Sequence, residues 1–446
     1  MSRLRIDCDW IDQPVAIDSL DKRTWAGLRI HVGFKAVTLF VDTRADGTSK
    51  TIYVPTFSIA DWIVRNWWTL LFEPAREIQT SDWRRRHSLR TADSSSMLPH
   101  LRIFSDDKFV SLKWDADPLP VPAHLPGYFL DSGWAEVERS DMESALTEFV
   151  HSVLERVSSN ENARLSDLRK TWDAITSAAV PEAAFCRAAG RLGLDPYDTE
   201  AWPRGLVELL EEQAPDENGA NLIFDDLVST VSSESALRAW KVVDQTATKH
   251  HLRELKSDAP ALVRDFSKIP ARFGYQAAEI VRERSGIDPA RRVASVAELS
   301  DKAGVPNMKL EYNGSPARIG VRAVVGGDAR KSGVLIAKEP SRSSAKRFLE
   351  ARGLYLMMFG CSQGPRLVTD AHVWDQKAAR AFAAELLAPR EHVLEMYQNR
   401  IKKDDSVEEA SQYVAKHFDV DDLVIANQLK NAPFDPALRS SEDFIE

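Results

Sequence analysis

Apolar and polar positions alternate over residues 28–42, LRIHVGFKAVTLFVD, and again over 50–55, KTIYVP. Both runs predict strands, separated by the turn segment TRADGTS. The period then turns helical in SIADWIVRNWWTLLFE, where Ile59, Trp62, Ile63, Asn66 and Trp67 fall on one side. HLRIFSDDKFVSLKW predicts two short strands around a turn at Ser105, Asp106 and Asp107. The proline-rich DPLPVPAHLPGY (117–128) reads as a linker or a crossing strap. From about residue 140 to 265, apolar residues recur every three or four positions, as in DMESALTEFVHSVLERV and SALRAWKVVDQTATKHHLREL, so helices are expected. GLDPYD (193–198) interrupts them as a loop, with Pro196 at the break.

The remainder of the chain mixes the two periods. Helices are expected over 272–287, RFGYQAAEIVRERSGI, and in SVAELSDKAGV. Strands follow over 317–325 and 332–337, joined through GGDARK. Further helices are expected over 342–359 and 373–387, the second closed by Pro389, then in SVEEASQYVAKHF and DDLVIANQLKN. The expected architecture is α+β and multidomain. A Trp-rich α+β domain covers 1–120, a linker and helical middle domain 121–267, and a mostly helical domain with a small sheet 268–446. Eight of the 12 tryptophans precede residue 135, where large side chains suit the core of a small domain.

Composition narrows the class. With 43% apolar and 28% charged residues the chain can build packed cores. No apolar run approaches membrane-spanning length, and MSRLRIDCDWIDQP lacks an apolar signal core, so a soluble cytoplasmic protein is expected. Cys8, Cys186 and Cys361 stand far apart with no CxxC, which suits a reducing compartment and excludes a cysteine zinc ribbon. The net charge of −9 argues against a nucleic-acid partner, since phosphate contacts call for a basic surplus. One basic run, Arg84, Arg85 and Arg86, sits beside Trp83. Together with Trp67 and Trp68 it is a candidate partner surface, against the plainer reading of a solvated face and an aromatic core. Adjacent His250 and His251 point to different sides of a helix and make a poor metal pair. VVGGDARKSG reads as a hairpin loop rather than a phosphate cradle, and no GxGxxG, GxxxxGK[ST] or GxSxG occurs.

Four segments resemble the C-terminal domain of the ImmA/IrrE-like metallopeptidase family. AKEPSRSSAKRFLEARGLYLMMF looks like the family's strand leading into a helix with an Arg-Phe pair before HExxH. KAARAFAAELLAP (377–389) is similar to its alanine-rich helix and is the most specific match. VAKHFDVDDLVIANQLKN (414–431) resembles the closing helical pair, and RFGYQAAEIVRE the entry helix. The resemblance covers about 268–432 and implies a zincin-like domain. More weakly, IADWIVRNWWTLLFEP and RLGLDPYD resemble segments of long bacterial members.

A zincin needs two histidines four residues apart, a glutamate beside the first, and a third ligand from another helix. Aligned on Arg347 and Phe348, the histidines fall at Arg352 and Leu356, the glutamate at Gly353, and the third ligand near Asp375 or Gln376. Arginine is permanently cationic and offers zinc no lone pair, while leucine and glycine have no donor atom. Only Asp375 retains one, so the resemblance implies a degenerate site with no metal cofactor and no catalytic residue. In that apolar helix Leu356 is expected to pack where an imidazole would project, and Arg352 to pair with Glu385 or Asp375.

The function implied is a catalytically inactive pseudopeptidase scaffold that binds a protein or peptide partner. The settings implied are bacterial stress response and regulation, toxin–antitoxin systems or phage defence. One alternative is a metal-dependent protease or hydrolase with a rearranged site at His372, Asp375 and Cys361. Another is a DNA-binding regulator using the closing helical pair, against which Asp419, Asp421 and Asp422 crowd the start of the would-be recognition helix.

Overall fold

Gly33, in a left-handed conformation (φ 59°), breaks the first alternating run. The single strand expected over 28–42 is instead three, Trp25–Val32, Lys35–Ala36 and Phe40–Asp42, with Val32 turned back opposite Lys35. The computed structural model describes residues 3–11, 19–43, 47–75, 79–106, 108–119, 127–158, 162–213, 221–259, 262, 269–312 and 320–431. Asp107, most of the proline-rich segment and part of the TRADGTS turn lie outside them. The fold is α+β, with sixteen α-helices and fourteen short strands among the described residues. None of these helices is long and apolar enough to cross a membrane. Packing divides the chain into two compact units, Met1–Leu237 with Ala371–Val373, and Arg238–Asp370 with Trp374–Glu446.

The first unit holds three antiparallel sheets. Trp25–Val32 pairs with Leu4–Trp10, with Lys35–Ala36 and with Ile52–Pro55. His100–Asp106, Phe109–Asp115 and Gly133–Glu138 form a meander, and Gly47–Ser49, Phe40–Asp42 and Gly127–Phe129 the third sheet. The helical run after residue 56 splits at Asn66 into Phe57–Arg65 and Trp67–Phe72, and the Asn66 side chain donates back to the Trp62 carbonyl at 2.8 Å. Segment 121–267, expected as a middle domain, contributes to both units. Its helices from Arg139–Arg156 to Leu222–Val228 belong to the first. Residues 253–255 belong to the second, where the Arg253 and Leu255 amides donate to the Gly327 and Cys361 carbonyls.

The second unit is built on one four-stranded sheet. Its strand order is Lys309–Glu311, Gly333–Ala337, Val321–Gly327, Arg366–Thr369, parallel in the first pair and antiparallel after it. Helix Ser343–Phe359 is apolar around most of its circumference because it is buried, with Leu354, Tyr355 and Leu356 fully enclosed. It lies close on the sheet: a Cβ on Gly353 would stand 2.3 Å from Leu335 Cδ1. Helix Pro270–Ser285 approaches Trp374–Leu387 as tightly, since a Cβ on Gly274 would meet the Ala378 carbonyl at 2.3 Å. That approach accounts for the alanine run in KAARAFAAELLAP: Ala378, Ala379 and Ala383 are fully buried. The helix expected in SVAELSDKAGV is only a 3-10 turn, Ala297–Leu299, because Gly304 (φ 83°) turns the chain after Ala303 is buried. Strand Arg366–Thr369 and helix Arg390–Ile401 are additional to the expected elements.

Candidate functional site

Helix Ser343–Phe359 carries two buried arginines that are held differently. Arg347 donates through Nη1 to the Val293 carbonyl at 2.7 Å and through Nη2 to both the Asp419 carbonyl and its carboxylate. Arg352 has no carboxylate in hydrogen-bonding reach. Its Nη2 donates to the Thr369 carbonyl and to Gln376 Oε1 at 3.0 Å. Its Nε is buried without an acceptor, and Nη1 likewise makes no hydrogen bond. The expected ion pair with Glu385 or Asp375 is therefore corrected. Asp375 accepts from Arg366 at 3.1 Å, and Glu385 from Arg390 Nε at 3.1 Å and Gln428 Nε2 at 2.9 Å.

Gln376 is the partner that replaces them. Strand Arg366–Thr369 is the last in the sheet, and an edge strand presents unpaired backbone groups. Gln376 serves two of them, donating to the Leu367 carbonyl at 2.7 Å and accepting from the Thr369 amide at 3.0 Å. These contacts fix the orientation of its amide, so Oε1 is also the atom that receives Arg352. Burial pushes the Arg352 guanidinium down, to about 9, with the Arg380 and Arg322 charges adding to it and Asp370 opposing. It stays cationic at neutral pH.

Arg352 lines a pocket of about 790 Å³ in the second unit. Arg322, Lys338, Arg342 and Arg380 also line it, so five cations face two acids, Glu339 and Asp421. Both acids are engaged: Glu339 with Lys346 at 3.1 Å, and Asp421 with Arg342 at 3.6 Å and, as N-cap, with the Leu423 amide. Arg322 is held by Asp370 at 2.6 Å. Phe348, Leu349, Ala381, Ala384, Val420 and Val424 supply apolar wall, and Asn427, Gln428 and Asn431 an amide-lined stretch. Gln428 is fully buried and donates to Glu385 and to the Ala388 carbonyl, yet its Oε1 has no donor. Helix Asp422–Lys430, the would-be recognition helix, thus gives one side to this pocket.

The remaining candidate residues are placed as follows. Gly353 faces Leu335 and Val325 of the sheet, and Leu356 is in the core. At the positions the resemblance assigns to a metal, the side chains present do not fit zinc. His372 is exposed in the loop before Trp374–Leu387, whereas Cys361 is fully buried beside the Val325 carbonyl. Among the described residues no three His, Cys, Asp or Glu side chains are grouped to hold a metal ion. Trp67, Trp68 and Trp83 are buried in the first unit, so of that proposed partner surface only Arg84 and Arg85 stand exposed. Trp67 meets the Trp172 edge, Trp68 donates to Tyr197, and Trp83 stacks on His87. Arg86 binds the buried Glu73 through two parallel hydrogen bonds of 2.8 and 2.7 Å. The aromatic signal in the sequence was a core signal. The pocket cations, by contrast, come from separate elements and form no run that a linear reading detects.

No family model matches the chain, and neither does any curated protein or solved structure.

Proposed function

We propose that the chain is a non-catalytic, ImmA/IrrE-like peptidase scaffold whose second unit, zincin-like in design, binds a protein or peptide segment. The observation that carries this reading is the contrast at helix Ser343–Phe359. Where two metal-binding imidazoles would project, Arg352 is tied to Gln376 and the edge strand and Leu356 is enclosed, while an open pocket persists alongside. A hydrolytic zinc needs three donors and a base. Here the base position, Gly353, has a sheet side chain within 2.3 Å of any Cβ. A peptide groove needs only shape, apolar wall and a few polar anchors, and those are present. Bacterial regulation, toxin–antitoxin control and phage defence are the settings this reading suggests.

Purification of the full chain with native partners, followed by metal analysis of the same sample, tests the proposal. A co-purifying protein with substoichiometric zinc, retained after chelation, is the expected result. Stoichiometric zinc with chelator-sensitive peptide cleavage would overturn it.

A further inference from the structure

The pocket holds two buried polar groups with opposite needs. Arg352, 5% exposed, keeps Nε and Nη1 without acceptors, although a buried guanidinium is costly unless an anion compensates it. Gln428, 0% exposed, keeps Oε1 without a donor. Other buried atoms, such as Arg347 Nε, are also unserved, but Arg352 and Gln428 both line the pocket, so a ligand there that brings an anion for one and an N–H for the other would satisfy both. A simple inorganic anion supplies only the first, and an apolar ligand neither.

We infer that the pocket recognises an acidic peptide segment, seating a side-chain carboxylate on Arg352 and presenting a backbone N–H to Gln428. The inference rests on the peptide-scaffold reading and adds the chemistry of the partner. The cation surplus around the pocket favours an acidic segment over a basic one, and the Arg380 charge, which already acts on Arg352, adds to the field a carboxylate would meet there. Arg342 and Arg322 are already engaged by Asp421 and Asp370, so they add field rather than direct contacts. Phe348, Leu349 and Val424 would cover apolar side chains flanking the acidic one. A pocket of about 790 Å³ accommodates a short segment rather than a folded domain.

The test titrates the full-length protein with capped, fluorescently labelled pentapeptides from an array, each central Glu paired with a Gln counterpart. Glu peptides should bind about tenfold or more tightly than their Gln partners, as expected for a charge-assisted hydrogen bond in a buried site. Arg352→Met should abolish the difference. Because a core substitution can disturb folding, Arg380→Gln serves as a second variant: it should narrow the difference several-fold, and raised salt should do the same in the wild type. Equal binding of Glu and Gln peptides, or a preference unchanged in both variants, overturns acidic recognition and leaves the scaffold reading standing. If no peptide binds while inorganic phosphate raises Tm in an Arg352-dependent way, the site is one for a small anion. That outcome overturns both the inference and the peptide-scaffold reading.

Discussion

Arg352 and Gln376 divide one task unequally, and their substitutions should behave unequally. Arg352→Met exchanges a desolvated cation with two acceptors for an apolar side chain of similar length, a change that is often neutral or stabilising in a core. Gln376→Ala strips the Leu367 carbonyl, the Thr369 amide and Arg352 of a partner at once, at a side chain that is fully buried. It should destabilise by about 2–3 kcal/mol, while Arg352→Met stays within about 1 kcal/mol of wild type. Urea denaturation of both variants decides the matter, and a larger loss for Arg352→Met would show that the guanidinium, not the amide, organises the edge strand. Gly353 belongs to the same neighbourhood. Its side-chain direction is filled by Leu335, so introducing His, Glu and His at 352, 353 and 356 should yield an unstable protein rather than a zinc enzyme, read as a lower denaturant midpoint.

At the scale of elements, helix packing competes with helix propensity at Gly274. In an exposed helix interior, Gly→Ala adds up to about 1 kcal/mol of stability. Here the new Cβ would meet the Ala378 carbonyl and the Phe382 amide, both backbone and unable to yield cheaply. Gly274→Ala should therefore destabilise by about 1–3 kcal/mol, read as a lower denaturant midpoint, and an increase would show that the helix pair can slide apart. The same pair explains what the sequence made legible. Long helices with extensive burial, such as Ser343–Phe359 and Trp374–Leu387, are legible because burial demands apolar residues over much of their length. Helix Arg390–Ile401 is hidden because it buries only Val393 completely, so little apolar pattern was required of it. Strand Arg366–Thr369, four residues long, is too short for alternation to register, yet it supplies the carbonyl that receives Arg352. Arg352 and Gln376 could both be singled out in the sequence, but not their meeting, since the strand that holds them together, through the Thr369 carbonyl and the Leu367 and Thr369 backbone, is one the pattern does not mark.

Over the molecule as a whole, acid should act in opposite directions on two buried carboxyls, Glu73 in the first unit and Glu385 in the second. In the first, burial alone would raise the Glu73 carboxyl, but donors from His87 at 3.0 Å and Arg86 outweigh it and hold the group below the usual carboxylate range. A group depressed in the fold contributes stability that is complete above its unfolded value, about 4.3, and is lost as pH falls through the folded value. In the second, burial holds the Glu385 carboxyl above the usual range despite Arg390 and Gln428. The folded protein then takes up that proton before the unfolded chain does, so the contribution of Glu385 is least at neutral pH and grows as pH falls toward about 4.3. Denaturant midpoints of wild type, Glu73→Gln and Glu385→Gln should be compared from pH 7 to pH 3. The advantage of wild type over Glu73→Gln should be full at pH 7 and shrink below about pH 4, whereas wild type should gain on Glu385→Gln between pH 7 and about 4.5. Curves that stay parallel for either variant would mean that its carboxyl titrates alike in the folded and unfolded chains. Glu385 also receives Gln428, so this second profile reports on the wall of the pocket and should shift when an acidic peptide occupies it.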